Sequence, residues 1–117
     1  MRTDPNCIFC KIVAGDIPAK KVHETTDALV FEDLNPAAPV HLLVIPKEHI
    51  ATINDVADSD QALMGALFTA ASQGARMKGI ADSGYRLVAN VNRDAGQEVF
   101  HIHMHLLGGQ KMGWPPV

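Results

Sequence analysis

Between Ser59 and Lys78 the apolar residues Leu63, Leu67, Ala70, Ala71 and Ala75 recur at helical spacing, and Met64 and Phe68 widen the stripe. The spacing predicts the longest helix of the chain. Asp58 is placed to cap it, with Gln61 three residues later as the returning side chain. Gly79 ends it. A second, shorter helix is expected from Asn6 to Ala14, stopped by Gly15. Pro18 then holds an extended or turn segment. Ala28 to Glu32 reads as a strand, and Asn35-Pro36 with Pro39 break the chain. His41 to Ile45 is a continuous apolar run of strand length ended by Pro46. Tyr85 to Asn90 and Val99 to Leu107 complete the expected strands. Trp114-Pro115-Pro116 fits neither a helix interior nor a central strand. The pattern predicts one α+β domain over residues 1–117, with a mostly antiparallel sheet and helices on one face.

The last strand pattern carries chemistry. His101, His103 and His105 alternate with Ile102 and Met104. A two-residue period puts the three imidazoles on one face, neighbours roughly 6.6 Å apart along the strand. Packing them in a core is costly unless each finds a partner. A catalytic nucleophile or base with supporting histidines is the leading reading. A metal site and a solvated face are the alternatives. The preceding loop, Asn92 to Glu98, brings Gly96 close to the strand. Glycine allows close backbone approach, and successive free N–H groups in such a loop can cradle an anion. An ordinary hairpin turn would have the same composition.

Cys7 and Cys10 form a C-x2-C pair whose sulfurs share one side of a helical turn. Structural zinc uses such a pair with two more ligands, and only histidines remain to supply them. Spacing does not choose among His23, His41, His49, His101, His103 and His105. A redox pair and two unligated thiols stay open as alternatives.

Composition narrows the class of partner. Ten basic residues stand against 13 acidic ones, a formal charge of -3, and no basic block marks a nucleic-acid polymer surface. A nucleotide would be met as a small molecule. No apolar stretch approaches the length of a membrane span. No signal-peptide pattern opens the chain, so a cytoplasmic location is expected.

The run His101-Ile102-His103-Met104-His105-Leu106-Leu107 resembles the histidine triad pattern of alternating histidine and hydrophobic residues. The likeness extends along nearly the whole chain, through Ile17-Pro18-Ala19, Phe31-Glu32-Asp33, Pro39-Val40-His41, Val44-Ile45-Pro46-Lys47, Gly84-Tyr85-Arg86, Gly96-Gln97, Leu107-Gly108-Gly109 and Trp114-Pro115-Pro116. The sequence is similar to the histidine triad (HIT) nucleotide-binding proteins, the purine nucleoside phosphoramidase branch. The resemblance implies a HIT-like fold, a five-stranded sheet with two helices continued across a homodimer. It implies hydrolysis of purine nucleoside 5′-phosphoramidates and related adenylate or guanylate conjugates, without a catalytic cofactor. The same fold also serves dinucleoside polyphosphate hydrolases, and a nucleotide-binding interaction protein with incidental turnover is the reading from another class.

The resemblance also implies roles. His103 matches the nucleophile that forms a nucleotidyl-histidine intermediate. His105 matches the histidine that contacts the phosphate, and His41 the one that joins the triad's hydrogen-bond network. Asn90 matches the asparagine beside the triad. Gly96, with the backbone of Glu98 and Val99, matches the phosphate turn. Asp33 matches the carboxylate that takes the ribose hydroxyls. Ile8, Phe9, Ile12, Ile17, Phe31 and Leu34 match the apolar wall around the purine. Trp114 matches a tail residue that reaches the partner subunit's site. Zinc-bearing relatives imply one structural Zn2+ held by Cys7, Cys10, His49 and His101.

Overall fold

A computed structural model describes residues 1–117. Helix α1 spans Ile8–Ala14 and is followed by strands β1 (Lys21–Glu24), β2 (Ala28–Glu32) and β3 (Val40–Pro46). Helix α2 spans Gln61–Met77, β4 Tyr85–Val88, the short helix α3 Asn92–Ala95 and β5 Met104–Gly108. The five strands form one antiparallel sheet in the order β1-β2-β3-β5-β4. The expected α+β architecture, with its sheet and two main helices, is borne out.

The helices do not share a face. Along β2 and β3 nearly every residue is buried, so neither face of the central sheet is left to water. Val30, Leu42, Val44, Met104 and Leu106 pack with Leu67, Ala70, Ala71 and Ala75 of α2. Leu29, Phe31, Leu43 and Ile45 pack with Phe9, Cys10 and Ile12 of α1. The period of two along each strand sends alternate residues to opposite helices.

Other expectations also shift. Helix α2 starts at Gln61, because a 3-10 turn at Asp58–Asp60 precedes it. Asp58 is therefore not its cap. Asp60 occupies that position, but its carboxylate accepts from Ala57 N (3.0 Å) and pairs with Arg2. Phe68 is 59% exposed and lies off the buried stripe, whereas Leu63 and Met64 pack at its edge. Strand β1 adds an edge that the hydrophobic pattern does not mark, since its KVHE sequence is only half-covered. Tyr85 to Val88 is shorter than expected, and Asn92–Ala95 is a helical turn rather than a loop.

The histidine segment is strand only from Met104 onward. Val44 is the last residue of β3 to pair with β5, opposite Met104. Beyond it the chain after Pro46 turns away. Pro46 O instead lies 2.8 Å from His101 Nε2, and Ile102 N donates to Ile50 O (2.8 Å). The alternation survives outside the ladder: Ile102 and Met104 enter the α2 core, while the three imidazoles face the side of α1.

Candidate active site and metal cluster

The hydrogen bonds fix how each imidazole of the cleft is used. Ala37 N donates to His41 Nδ1 (3.0 Å), so that nitrogen carries a lone pair and His41 Nε2 carries the proton. His41 Nε2 lies 2.9 Å from His105 Nδ1 and 3.4 Å from an Asp33 carboxylate oxygen. It donates to His105 Nδ1, which leaves the proton of His105 on Nε2. Burial holds His105 below the ordinary imidazole range, helped by the neighbouring His103 and His41. His103 Nδ1 is 2.8 Å from the carbonyl oxygen of His101. A carbonyl only accepts, so Nδ1–H donates and His103 Nε2 keeps its lone pair. No buried side-chain nitrogen lacks a partner, so this unpartnered Nε2 reaches the cleft surface.

These rings line a cleft of about 380 Å³ with Asp33, Asn90, Gly96, Glu98 and Val99. Gly96 closes α3 in the left-handed conformation (φ 82°), which turns the chain toward the histidines. Gln97 pins that turn: its amide donates to Ala51 O (2.9 Å) and Val99 O (3.1 Å), and its carbonyl accepts from Asn92 N (2.9 Å). The N–H groups of Glu98 and Val99 make no hydrogen bond within the chain. Two free donors beside Gly96 form an anion-receptive turn.

A second, apolar pocket of about 230 Å³ adjoins the cleft. Ile8, Phe9, Ile12, Ile17, Phe31 and Leu34 line it, all six apolar positions that the resemblance implies. Leu34 stands at its open rim, 92% exposed. Phe9, Asp33, Asn35 and Leu43 border both spaces. Asp33 thus sits between the apolar pocket and the imidazoles, its Oδ1 accepting from Asn35 N (2.7 Å). Asn35 and Leu43 were not among the residues expected here. Asn35 reads in sequence as half of a chain-breaking Asn-Pro, and Leu43 as one more core residue of an apolar strand. Trp114 does not join the site of its own chain; it is 82% exposed on a tail held by Arg86 Nη2 donating to Gly113 O (2.9 Å).

Behind the cleft, Cys7, Cys10, His49 and His101 bring one donor atom each to within 4.8 Å of one another. Cys7 caps α1, its sulfur accepting from Cys10 N (3.4 Å). His101 Nε2–H donates to Pro46 O, which leaves the Nδ1 lone pair facing the sulfurs. Burial pushes the His101 ring down to about 4 and the Cys7 thiol up. His101 Nδ1 lies 3.4 Å from Cys7 Sγ, 3.6 Å from Cys10 Sγ and 3.2 Å from His49 Nδ1; His49 Nδ1 is 3.4 Å from Cys10 Sγ. A tetrahedral zinc site has donor separations of about 3.3 Å for N···N and about 3.5 Å for N···S, from its ordinary bond lengths. The donor set and its spacing therefore fit one tetrahedral ion with no open position. No disulfide joins the cysteines.

The HIT domain family matches residues 14–112, and the chain belongs to this family. It is 46% identical to the purine nucleoside phosphoramidase of Escherichia coli (strain K12) over 106 residues, covering 91% of this chain and 89% of that protein. The crystal structure of a HIT family hydrolase from Legionella pneumophila superposes with a TM-score of 0.92 at 55% identity, covering 96% of this chain and all of that one. A HIT family hydrolase from Clostridium thermocellum gives a TM-score of 0.95 at 44% identity, covering 98% of this chain and all of that one. These relatives place the chain with the hydrolases of its family. The matched span begins after Cys10, so the cysteine pair lies outside it.

Proposed function

We propose that this protein hydrolyses purine nucleoside 5′-phosphoramidates and related nucleotidyl conjugates through a nucleotidyl-His103 intermediate. The carrying observation is the tautomer order: His103 brings a free Nε2 lone pair, and His105 an Nε2–H, to one cleft. The adjoining apolar pocket is suited to a purine, Asp33 to the ribose hydroxyls, and the turn at Gly96 to the phosphate.

His103 Nε2 forms a bond to the α-phosphorus while the bond from phosphorus to the leaving group breaks. The departing amine takes up a proton from solvent, and the water that attacks in the second step returns one. His105 Nε2–H and the N–H groups of Glu98 and Val99 stabilise charge on the phosphoryl oxygens. Water then attacks the same phosphorus, the N–P bond breaks, and the nucleoside 5′-monophosphate leaves with His103 restored.

Incubation with adenosine 5′-phosphoramidate and, separately, with diadenosine tetraphosphate tests the reading. Faster release of AMP from the phosphoramidate is expected, with a labelled nucleotide trapped on His103 after acid quench. Preferential cleavage of the tetraphosphate would assign the chain to dinucleoside polyphosphates. Binding without turnover of either would make it a nucleotide-binding interaction protein.

Two further parts belong to this reading. Cys7, Cys10, His49 and His101 hold a structural Zn2+, which would tie α1 to the segments that follow β3 and precede β5. The chain forms a homodimer through β4. That strand is an edge with unpaired backbone groups, and its Tyr85 and Leu87 are only half-covered against the α2 core. Arg86 holds the tail beside that edge, which supports a reach of Trp114 into a partner's cleft. Sedimentation should give a dimer at micromolar concentration; a monomer overturns it.

A further inference from the structure

The segment before α1 has no part in the cleft, yet Arg2 and Asp4 tie it to the rest of the protein through several polar contacts. Arg2 spans two elements. Its Nη2 lies 2.7 Å from Glu48 Oε2 and 2.7 Å from Asp60 Oδ1, its Nη1 is 3.4 Å from Asp60 Oδ2, and its backbone N–H donates to Glu48 Oε1 (2.9 Å). Asp60 is itself buried at the start of α2. The carbonyl oxygen of Arg2 accepts from His49 N (2.8 Å). Two residues on, Asp4 O accepts from Cys7 N (3.1 Å), and Asp4 Oδ1 accepts from Asn6 N (2.8 Å). The second carboxylate oxygen of Asp4 is left facing the ring of His49, 4.0 Å from Nε2.

One short segment thus meets His49 at two points: Arg2 O accepts from its backbone N–H, and the Asp4 carboxylate faces its ring at 4.0 Å. Its Nδ1 faces Cys10 and His101; with an ion on that nitrogen Nε2 would be the N–H side, and Asp4 Oδ2 lies 4.0 Å from it. Histidines that ligate a metal through one nitrogen commonly give the other N–H to a carboxylate, which fixes the tautomer and strengthens the ligand. Of the four donor residues, His49 needs such support most. His101 already donates to Pro46 O, and both cysteines belong to the helix and its cap. His49 lies on an irregular segment between β3 and the 3-10 turn that opens at Ile53.

We propose that residues Arg2 to Asp4 form a clasp over the metal cluster, with Asp4 as the positioning residue for His49. The inference rests on the four-ligand reading of Cys7, Cys10, His49 and His101. An ion on Nδ1 would keep the proton of His49 on Nε2, and a small shift of the Asp4 carboxylate, 4.0 Å away, would let it accept that proton's hydrogen bond. Arg2 fastens the clasp to Glu48 and to the start of α2. Retention of the ion therefore depends on a segment that supplies none of its ligands.

The test uses the full chain with zinc, competed against a chromophoric chelator, alongside melting of the metal-free proteins. Asp4→Ala removes both carboxylate contacts. Asp4→Asn keeps an oxygen for Asn6 N but turns an amide donor toward the His49 N–H. Both variants should bind zinc about 10- to 100-fold more weakly than wild type and release it faster. Metal-free Asp4→Asn should melt with metal-free wild type. Cobalt-loaded variants should keep the absorption of a tetrahedral site, showing that all four ligands remain. Arg2→Ala should speed release as well. Wild-type affinity in both Asp4 variants overturns the clasp. So does an Asp4→Ala variant that loses metal-free stability but keeps its affinity, because Asp4 would then serve only the turn. Failure of the four-ligand reading shows separately, as a wild type that binds no zinc, and it removes the clasp with it.

Discussion

His103 Nδ1 donates to the carbonyl oxygen of His101, 2.8 Å away, while the His101 ring faces the sulfurs of Cys7 and Cys10. One residue therefore serves both places, with its backbone orienting the candidate nucleophile and its side chain completing the candidate four-ligand cluster. Replacing His103 by Ala should reduce turnover on the order of a thousandfold or more with little loss of melting temperature. Single-turnover kinetics and thermal melting measure the two effects; a near-normal first turnover would remove His103 from the nucleophile's role.

His41 sets the proton of His105 through a direct hydrogen bond, Nε2 to Nδ1 at 2.9 Å. His41→Ala leaves His105 Nδ1 without its donor and frees the ring to take the other tautomer. A fall in kcat of about a hundredfold is expected, with KM changed much less. If KM carries the whole loss, His41 acts in binding and does not set the His105 tautomer for the chemical step.

Asp33 borders both pockets, so its loss should be felt in binding. Asp33→Ala should raise KM about 10- to 100-fold, the worth of hydrogen bonds to a charged acceptor. A 2′,3′-dideoxynucleotide substrate should largely erase the difference between variant and wild type. Persistence of the full difference would place the role of Asp33 elsewhere.

Metal content and stability should move together. Protein purified without chelator should carry close to one zinc per chain, and Cys7→Ser should lower both occupancy and melting temperature. Ligation that favours the folded state stabilises by roughly 4 kcal/mol when free metal stands about a thousandfold above Kd. Chelated wild type with unchanged melting and activity would discard zinc and the anchoring role of His101.

Acid should weaken the Arg2 network in a set window. Hydrogen bonds from Arg2 hold the Glu48 and Asp60 carboxyls below their ordinary range in the folded chain. Their contribution is complete above the unfolded values, about 3.9 for Asp and 4.3 for Glu. It is lost as pH falls through the lower folded values. Wild type should therefore melt above Arg2→Ala at neutral pH, and the gap should close below about pH 4. A gap that is constant across that range would mean that Arg2 stabilises by packing.

Much of this site is legible because its residues fall on regular periods. The spacing of His101, His103 and His105 put three rings on one face, and C-x2-C put two sulfurs on one turn. The helix from Gln61 to Met77 shows in its own repeat. What sequence pattern misses are the tertiary events. Strand β1 forms because β2 offers it an edge, not because KVHE is apolar. The ladder stops at Met104 because its partner strand turns away after Pro46. Asp58 loses the capping position because a 3-10 turn at Asp58–Asp60 moves the helix start to Gln61. Nothing local announces that Asn35 borders both pockets or that Arg2 O accepts from His49 N. The convergence of His49 with His101, 52 positions apart, follows from the fold alone.

The sheet itself divides the molecule into two independently adjustable halves. Val30, Leu42, Val44, Met104 and Leu106 point toward α2, whereas Leu43, His41 and His105 from the same strands point toward the cleft. Mutational drift on the α2 side can accordingly raise or lower thermal tolerance without touching an imidazole of the cleft. Lineages living at different temperatures could retune one side of a shared backbone while the other stays chemically frozen.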